Sequence, residues 1–258
     1  LLGGEGDSMQ RDYSYDSRRC FDELEAPGIT GEEAARRTVR RLGPRQLPTS
    51  EMPVLFAPEV AQGLVSHLVG AISGSALYRN ASFLKGAVGE RLFPDWLSIL
   101  ERPRLKRGAG SAVFDSEGVA TRERCIVGSG VLDGYVLSSY SARRLGLETT
   151  GNAGGVRNLL LEPGGEGYEN PLEQMRDGFY VTEVMGQGVS MVTGDYSRGA
   201  SGFLVQNGEM VYPVDQVTIA GNLRDMFLNI QAAGNDIDTR GNIQTGSVLI
   251  STMMVAGT

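Results

Sequence analysis

The chain has 258 residues, 41% of them hydrophobic, enough for one large domain or two small ones with a real core. Its 31 acidic and 24 basic residues give a formal charge of −7, which opposes the phosphate neutralisation that drives nucleic-acid affinity. No apolar run approaches the roughly 20 residues that span a bilayer and no basic-then-apolar stretch opens the sequence, so a soluble, cytoplasmic protein is expected.

Leu1 to Asp7 reads as an interrupted strand and turn, and the chain is expected to be part of a longer one. Met9 to Arg19 alternates polar and aromatic residues with Tyr13 and Tyr15 in phase, which predicts a half-exposed strand. Thr30 is placed to cap a helix through Glu32 to Leu42, with Glu32 and Glu33 at its positive end and Gly43-Pro44 as its stop. Met52 to Phe56 predicts a short buried strand, and Pro58 opens a helix carrying Val60, Leu64, His67, Leu68 and Ala71. Arg122 to Leu137 predicts a hairpin around Gly128-Ser129-Gly130. Asn170-Pro171 starts a short helix through Met175, followed by a strand from Phe179 to Met185. With 36 glycines to form turns and bulges, the expected fold is α+β: a sheet-rich, glycine-turned domain with a few flanking helices.

The block from Gly186 to Phe203 holds the densest glycine pattern. A G-x-G element that cradles a dinucleotide opens a helix, whereas here Val189 to Val192 and Phe203 to Val205 predict strands. Gln206-Asn207-Gly208-Glu209 then predicts a hairpin turn, because Asn-Gly tolerates positive φ. Asp195, Tyr196, Ser197 and Arg198 allow two readings. They form either a loop lining a peptide cleft, with Arg198 paired to an acid, or a β-bulge in which Asp195 bonds neighbouring amides and Gly199 takes a special backbone angle. Thr150 to Gly155 is either a tight loop between sheet elements or a close approach to a peptide or partner subunit.

Chemistry is sparse. Cys20 and Cys125 form no C-x-x-C pair and are expected to be reduced thiols. The single histidine, His67, is expected to be a structural one bonded to a backbone carbonyl; a base toward Ser66 or Ser197, oriented by Asp195, is the catalytic alternative. Arg36-Arg37, Arg40-Arg41 and the basic run from Arg104 to Arg107 could offer local phosphate contacts, but the first two pairs follow Glu32 and Glu33 and fit a solvated, ion-paired helix face.

The run MGQGVSMVTGDYSRGASGF, followed by NGEMVYPV, TIAGNLRDMFLNI and GNDIDTRGNIQTGSVLIS, resembles the carboxyl-terminal domain of PmbA/TldE-type members of the TldD/PmbA family, older label modulator of DNA gyrase. Earlier blocks agree in order: GEGDSMQRDY, VGAISGSALYR, FDSEGVATRE and SSYSARRLGLETTGNAGG. The resemblance implies that residues 1–50 end a preceding region with a linking helix, that 51–258 form the carboxyl-terminal domain, and that an amino-terminal α/β domain is absent from this chain. In TldD members the helix corresponding to the one opened by Pro58 carries a zinc motif, H-E-x-x-x-H, with a cysteine as third ligand near the chain end. Laid on this pattern, Ser66 stands at the first histidine, His67 at the glutamate, Ala71 at the second histidine and Arg240 at the cysteine. Alanine and guanidinium are not zinc donors, so no metal is expected in this chain. Arg240 is then expected to hold an internal acid or, in a cavity, a substrate carboxylate.

The resemblance therefore implies a non-catalytic subunit of a zinc peptidase acting on unfolded or modified peptides. It would supply cavity wall and dimer interface, pairing with a zinc-bearing TldD-type subunit or with itself. Two alternatives remain: a peptidase active in its own right, and an adaptor for a gyrase-related regulator.

Overall fold

A computed structural model describes residues 1–257. Strands β1 (Leu2–Gly3) and β2 (Gln10–Arg11) pair ahead of helix α1 (Pro27–Arg40). Strand β3 (Ser50–Phe56) runs straight into α2 (Pro58–Ala71), and α3 (Gly74–Tyr78) follows. The middle of the chain contributes β4 (Ile99–Glu101), β5 (Arg124–Gly128), β6 (Val131–Leu132), α4 (Ser139–Leu145), β7 (Leu159–Leu161), β8 (Gly164–Gly165) and α5 (Pro171–Met175). The last third holds β9 (Gly178–Met185), β10 (Asp195–Gln206), β11 (Glu209–Asn222), α6 (Leu223–Leu228), β12 (Ile230–Ala233), β13 (Ile243–Gln244) and β14 (Val248–Ala256).

The long strands close on themselves. β11, β10, β9, β3 and β14 are joined in that order, and β14 returns to β11 through Thr218–Ala220 against Met254–Ala256. This closure removes the open edges that a flat sheet exposes. Within the ring only β3 and β9 run parallel. β12 takes another part of the β14 edge, with β8 beyond it, and a second sheet runs β13-β7-β4-β5-β6.

Side chains alternate across each strand. Val54, Phe56, Phe179, Val181, Val248 and Ile250 join the main core with Ala61, Leu64, Val65 and Leu68 of α2. The residues between them, Leu55 and Leu249, pack on the other side with Val205 and Met175. Each such aliphatic or aromatic burial is worth about 1.5–3 kcal/mol. Helix α2 buries Val60, Ala61, Leu64, Val65, Leu68 and Ala71, a helical spacing that leaves Glu59, Gly63, Ser66 and His67 on the opposite stripe.

The sheet-rich α+β expectation holds, and so do the hairpin around Ser129-Gly130, the helix behind Asn170 and the β10–β11 hairpin. In that last turn Asn207 and Gly208 have φ of 53° and 80°, the pair of positive angles a tight hairpin requires.

Other expectations fail for identifiable reasons. Beyond Arg11 the stretch to Arg19 forms no strand: Tyr13 and Tyr15 stack on each other, ring centroids 6.2 Å apart, with no neighbouring strand to pair with. Helix α1 begins at Pro27 with Ala26 before it, because proline has no amide to leave unsatisfied at the first turn; Thr30 caps nothing. Val189 makes one bridge to Tyr196, and the residues after it turn back, with the Gly194 amide donating to the Ser190 carbonyl. Asp195 to Arg198 are regular strand; the irregularities lie later, between Ala200 and Gly202 and between Leu204 and Val205, and Gly199 has no positive φ. The Thr150–Gly155 segment is a tight loop, with Asn152 buried and bonded to Glu101 and Arg124. No helix among the described residues is long and apolar enough to cross a membrane.

Candidate functional site

The polar stripe of α2 is laid along two adjoining clefts. Ser66, His67 and Gly63 line the first, of about 670 Å³, together with Thr182, Glu183 and Val184 of β9 and Arg198 of β10. Arg240 lines the second, of about 400 Å³, with Tyr15, Arg36, Arg40, Asp236 and Asp238. Arg37 and Glu59 line both. Their ion pair, Nη1 to Oε1 at 2.8 Å, stands at the border.

In the first cleft His67 meets the Tyr196 ring edge-on, centroids 6.0 Å apart and planes at 74°. Burial, and then the charge of Arg198, lower the imidazole pKa below its ordinary 6.5, so the ring is neutral at pH 7. Burial pushes the Tyr196 phenol up to about 12. Contrary to expectation, the imidazole makes no hydrogen bond to a backbone carbonyl among the described residues. A serine-hydrolase triad is not assembled either. Tyr196 faces His67, so strand alternation turns Asp195 and Ser197 to the opposite side. Asp195 is occupied there by the Thr193 hydroxyl at 2.6 Å and the Asn222 amide at 3.2 Å. Arg198 pairs with no carboxylate among the described residues; its Nε donates to the Met185 carbonyl at 3.0 Å.

The second cleft is an ion-pair relay. Arg240 sends Nε to Asp238 Oδ1 at 2.8 Å and Nη2 to Asp238 Oδ2 and to Glu59 Oε1, both at 2.7 Å. Its Nη1 donates to the Tyr15 carbonyl at 2.9 Å, and the guanidinium lies 4.3 Å over the Tyr15 ring. Burial alone would push the Asp238 carboxyl up, but the Arg240 hydrogen bonds and charge outweigh it and hold that carboxyl below the usual range. The relay continues from Glu59 through Arg37 to Glu33, whose carboxyl Arg36 and Arg37 bring down to about 2. Arg240 thus holds internal acids, the structural one of its two expected roles.

The four positions aligned with the zinc motif line different surfaces. Ser66 and His67 face the first cleft, Arg240 the second, and Ala71 is fully buried in the core, lining neither. No group of three or more His, Cys, Asp or Glu side chains able to hold a metal occurs among the described residues. The donor set does not fit zinc, since a guanidinium committed to two carboxylates and an alanine methyl offer it nothing.

Glu59, Arg37, Asp238 and Tyr15 escaped the sequence reading as site residues. So did Arg41, which pairs with Asp12 at 3.0 Å and Glu183 at 2.5 Å and is buried, not solvated. The Glu33/Arg37 spacing of four and the Asp238/Arg240 spacing of two were local signals; the partners that join these pairs to each other and to Tyr15, and those of Arg41, are far apart in sequence.

Residues 49–257 match the family model of the PmbA/TldA metallopeptidase C-terminal domain. The barrel is therefore that of a metallopeptidase-family domain. Over 257 residues the chain is 52% identical to Metalloprotease PmbA of Escherichia coli O157:H7, covering 100% of itself and 57% of that protein. A Metalloprotease PmbA homolog of Haemophilus influenzae is 50% identical over 258 residues, with the same coverage. Among solved structures, a putative modulator of DNA gyrase from Bacteroides thetaiotaomicron superposes with a TM-score of 0.92 at 29% identity, covering 99% of this chain and 58% of that one. TldE from Thermococcus kodakarensis shares the fold, with a TM-score of 0.85 at 24% identity over 99% of this chain and 61% of that one. The chain belongs to the PmbA/TldD metallopeptidase family, and it spans a little over half the length of the curated relatives it matches.

Proposed function

We propose that the chain forms cavity wall and dimer interface in a non-catalytic subunit of a PmbA/TldD-type cytoplasmic peptidase that processes unfolded or modified peptides. Hydrolysis belongs to a zinc-bearing TldD-type partner. The observation that carries this reading is the commitment of Arg240, at the position aligned with the metal-binding cysteine, to Asp238 and Glu59. A second feature supports peptide handling. β3 pairs with β9 only as far as Val181, so the edge of Thr182–Met185 on that side has no strand partner among the described residues. An extended peptide can add there by main-chain hydrogen bonds, which tolerate sequence but exclude folded chains.

The test is metal content and peptide cleavage of the full-length protein, alone and mixed with its zinc-bearing relative. Metal-free, inactive protein that supports cleavage only in the mixture is the expected result. The names of the relatives at 52% and 50% identity favour a second reading, a metallopeptidase active by itself. Stoichiometric zinc and chelator-sensitive turnover by the protein alone would establish that reading instead.

A further inference from the structure

The first cleft carries an unbalanced charge. Four arginines line it, Arg11, Arg37, Arg41 and Arg198, against three carboxylates, Asp12, Glu59 and Glu183. Every carboxylate is taken: Asp12 by Arg41, Glu183 by Arg41 and Arg11, and Glu59 by Arg37. Arg198 is left as the one lining side-chain cation with no acidic partner among the described residues. Its Nε is anchored on the Met185 carbonyl, which fixes the plane of the guanidinium and leaves its terminal nitrogens for a ligand. Beside it stand the His67 ring, neutral and without a hydrogen bond among the described residues, and the exposed Ser66 hydroxyl. A guanidinium in a half-buried cleft is matched by a planar anion that can accept two parallel N–H bonds, and a carboxylate has that shape.

We propose that this cleft captures a peptide carboxylate on Arg198, with His67 and Ser66 as its polar neighbours. The anion sits at the end of the unpaired β9 edge, where the Met185 carbonyl already holds the arginine, so a peptide added to that edge is fixed in register by its charge. Arg198 is then a binding residue, selecting either a chain end or an acidic side chain.

This deepens the peptide-handling part of the function above but rests on binding alone, so its failure is separable from any outcome of the metal and turnover assays. Full-length protein is titrated calorimetrically with tetra-alanine bearing a free α-carboxylate, with its C-terminal amide, and with an amidated tetrapeptide carrying one aspartate. At least one carboxylate peptide is expected to bind about tenfold more tightly than the neutral amide, the equivalent of one charge-assisted hydrogen bond. Preference for the free acid alone assigns a chain-end site, preference for the aspartyl amide alone an acidic side-chain site, and both together a general carboxylate site. R198Q is expected to abolish the preference and R198K to keep part of it. A parallel readout is the His67 ring proton resonance, assigned through H67N. Its titration midpoint should rise in R198Q, which removes a repulsive cation, and in wild type when the preferred peptide binds. Equal affinity for all three peptides, or a preference that survives R198Q, overturns the proposal.

Discussion

Replacing Arg240 with methionine keeps much of the side-chain length and removes the charge. Asp238, whose side chain is 4% exposed, would lose its cation and keep the residue-240 backbone amide, now at 3.0 Å. Glu59 would retain Arg37. Stripping one partner from a fully buried pair costs about 3–5 kcal/mol, and the 14% exposure of the Arg240 side chain places this case near the lower end, about 3 kcal/mol. With a urea slope near 3 kcal/mol/M the unfolding midpoint should fall by about 1 M. The pH dependence identifies the cause. In the wild type the depressed Asp238 carboxyl contributes stability that is present above its ordinary value of 3.8 and is lost as pH falls through the folded value. In R240M burial prevails and raises that carboxyl, so the native variant takes up a proton in mild acid and its deficit shrinks between pH 7 and pH 4.5. Adding D238N should recover part of the loss at pH 7. A deficit under about 1 kcal/mol, or one equal at both pH values, would refute the assignment of Arg240 as the counter-ion of a buried acid.

Three further outcomes follow from the same geometry. His67 has a folded pKa below 6.5, so its share of stability is present above that value and declines as pH falls; H67N should flatten the loss seen between pH 7 and pH 5.5 in urea melts. R41A removes the cation shared by Asp12 and Glu183 and should cost about 2–4 kcal/mol, with faster proteolytic cutting in residues 12–20 because the opening segment loses its tie to β9. G202A places a Cβ 1.9 Å from the Tyr180 carbonyl oxygen at the β9–β10 bulge and should cost about 3 kcal/mol in a thermal melt, at the upper end for overpacking.

Much of the fold is legible because its signals are local. Met52 to Phe56 is apolar over strand length, Pro58 can only open the helix that follows, and Asn207-Gly208 sets the turn and the first pairs of the β10–β11 hairpin. The errors arise where a local pattern had no partner or another local feature acted first. Tyr13 and Tyr15 alternate like a strand because they stack on each other, and Pro27 pre-empts Thr30 at the helix start. The site is less legible than the fold because ion pairs carry no sequence period. Glu59 and Arg240 are 181 positions apart and Arg41 and Glu183 are 142 apart, so residues that read as a solvated arginine face are drawn into clefts by acids supplied from elsewhere in the chain.

Whether the lost metal site could be rebuilt depends on what now packs around its positions, since the five-residue spacing of 66 and 71 is that of the H-E-x-x-x-H motif itself. Successive residues of α2 turn by about 100°, so position 71 stands roughly 140° round the axis from position 66. That rotation takes Ala71 off the polar stripe and into the core, where it is fully buried and the Ser82 hydroxyl donates to its carbonyl at 2.6 Å. Arg240 opens on the second cleft, across the Arg37–Glu59 pair from Ser66. Restoring every motif residue at once, as S66H/H67E/A71H/R240C, therefore places one imidazole in the first cleft, forces the second into packed core and leaves the thiol in another cleft. The quadruple variant is expected to unfold more easily than wild type by about 3 kcal/mol or more, from overpacking at 71 and the uncompensated Asp238, and to bind no stoichiometric zinc on elemental analysis after dialysis. One equivalent of tightly held zinc together with wild-type stability would show that the four positions do converge, and that the separation of the two clefts is not what prevents this chain from holding the metal.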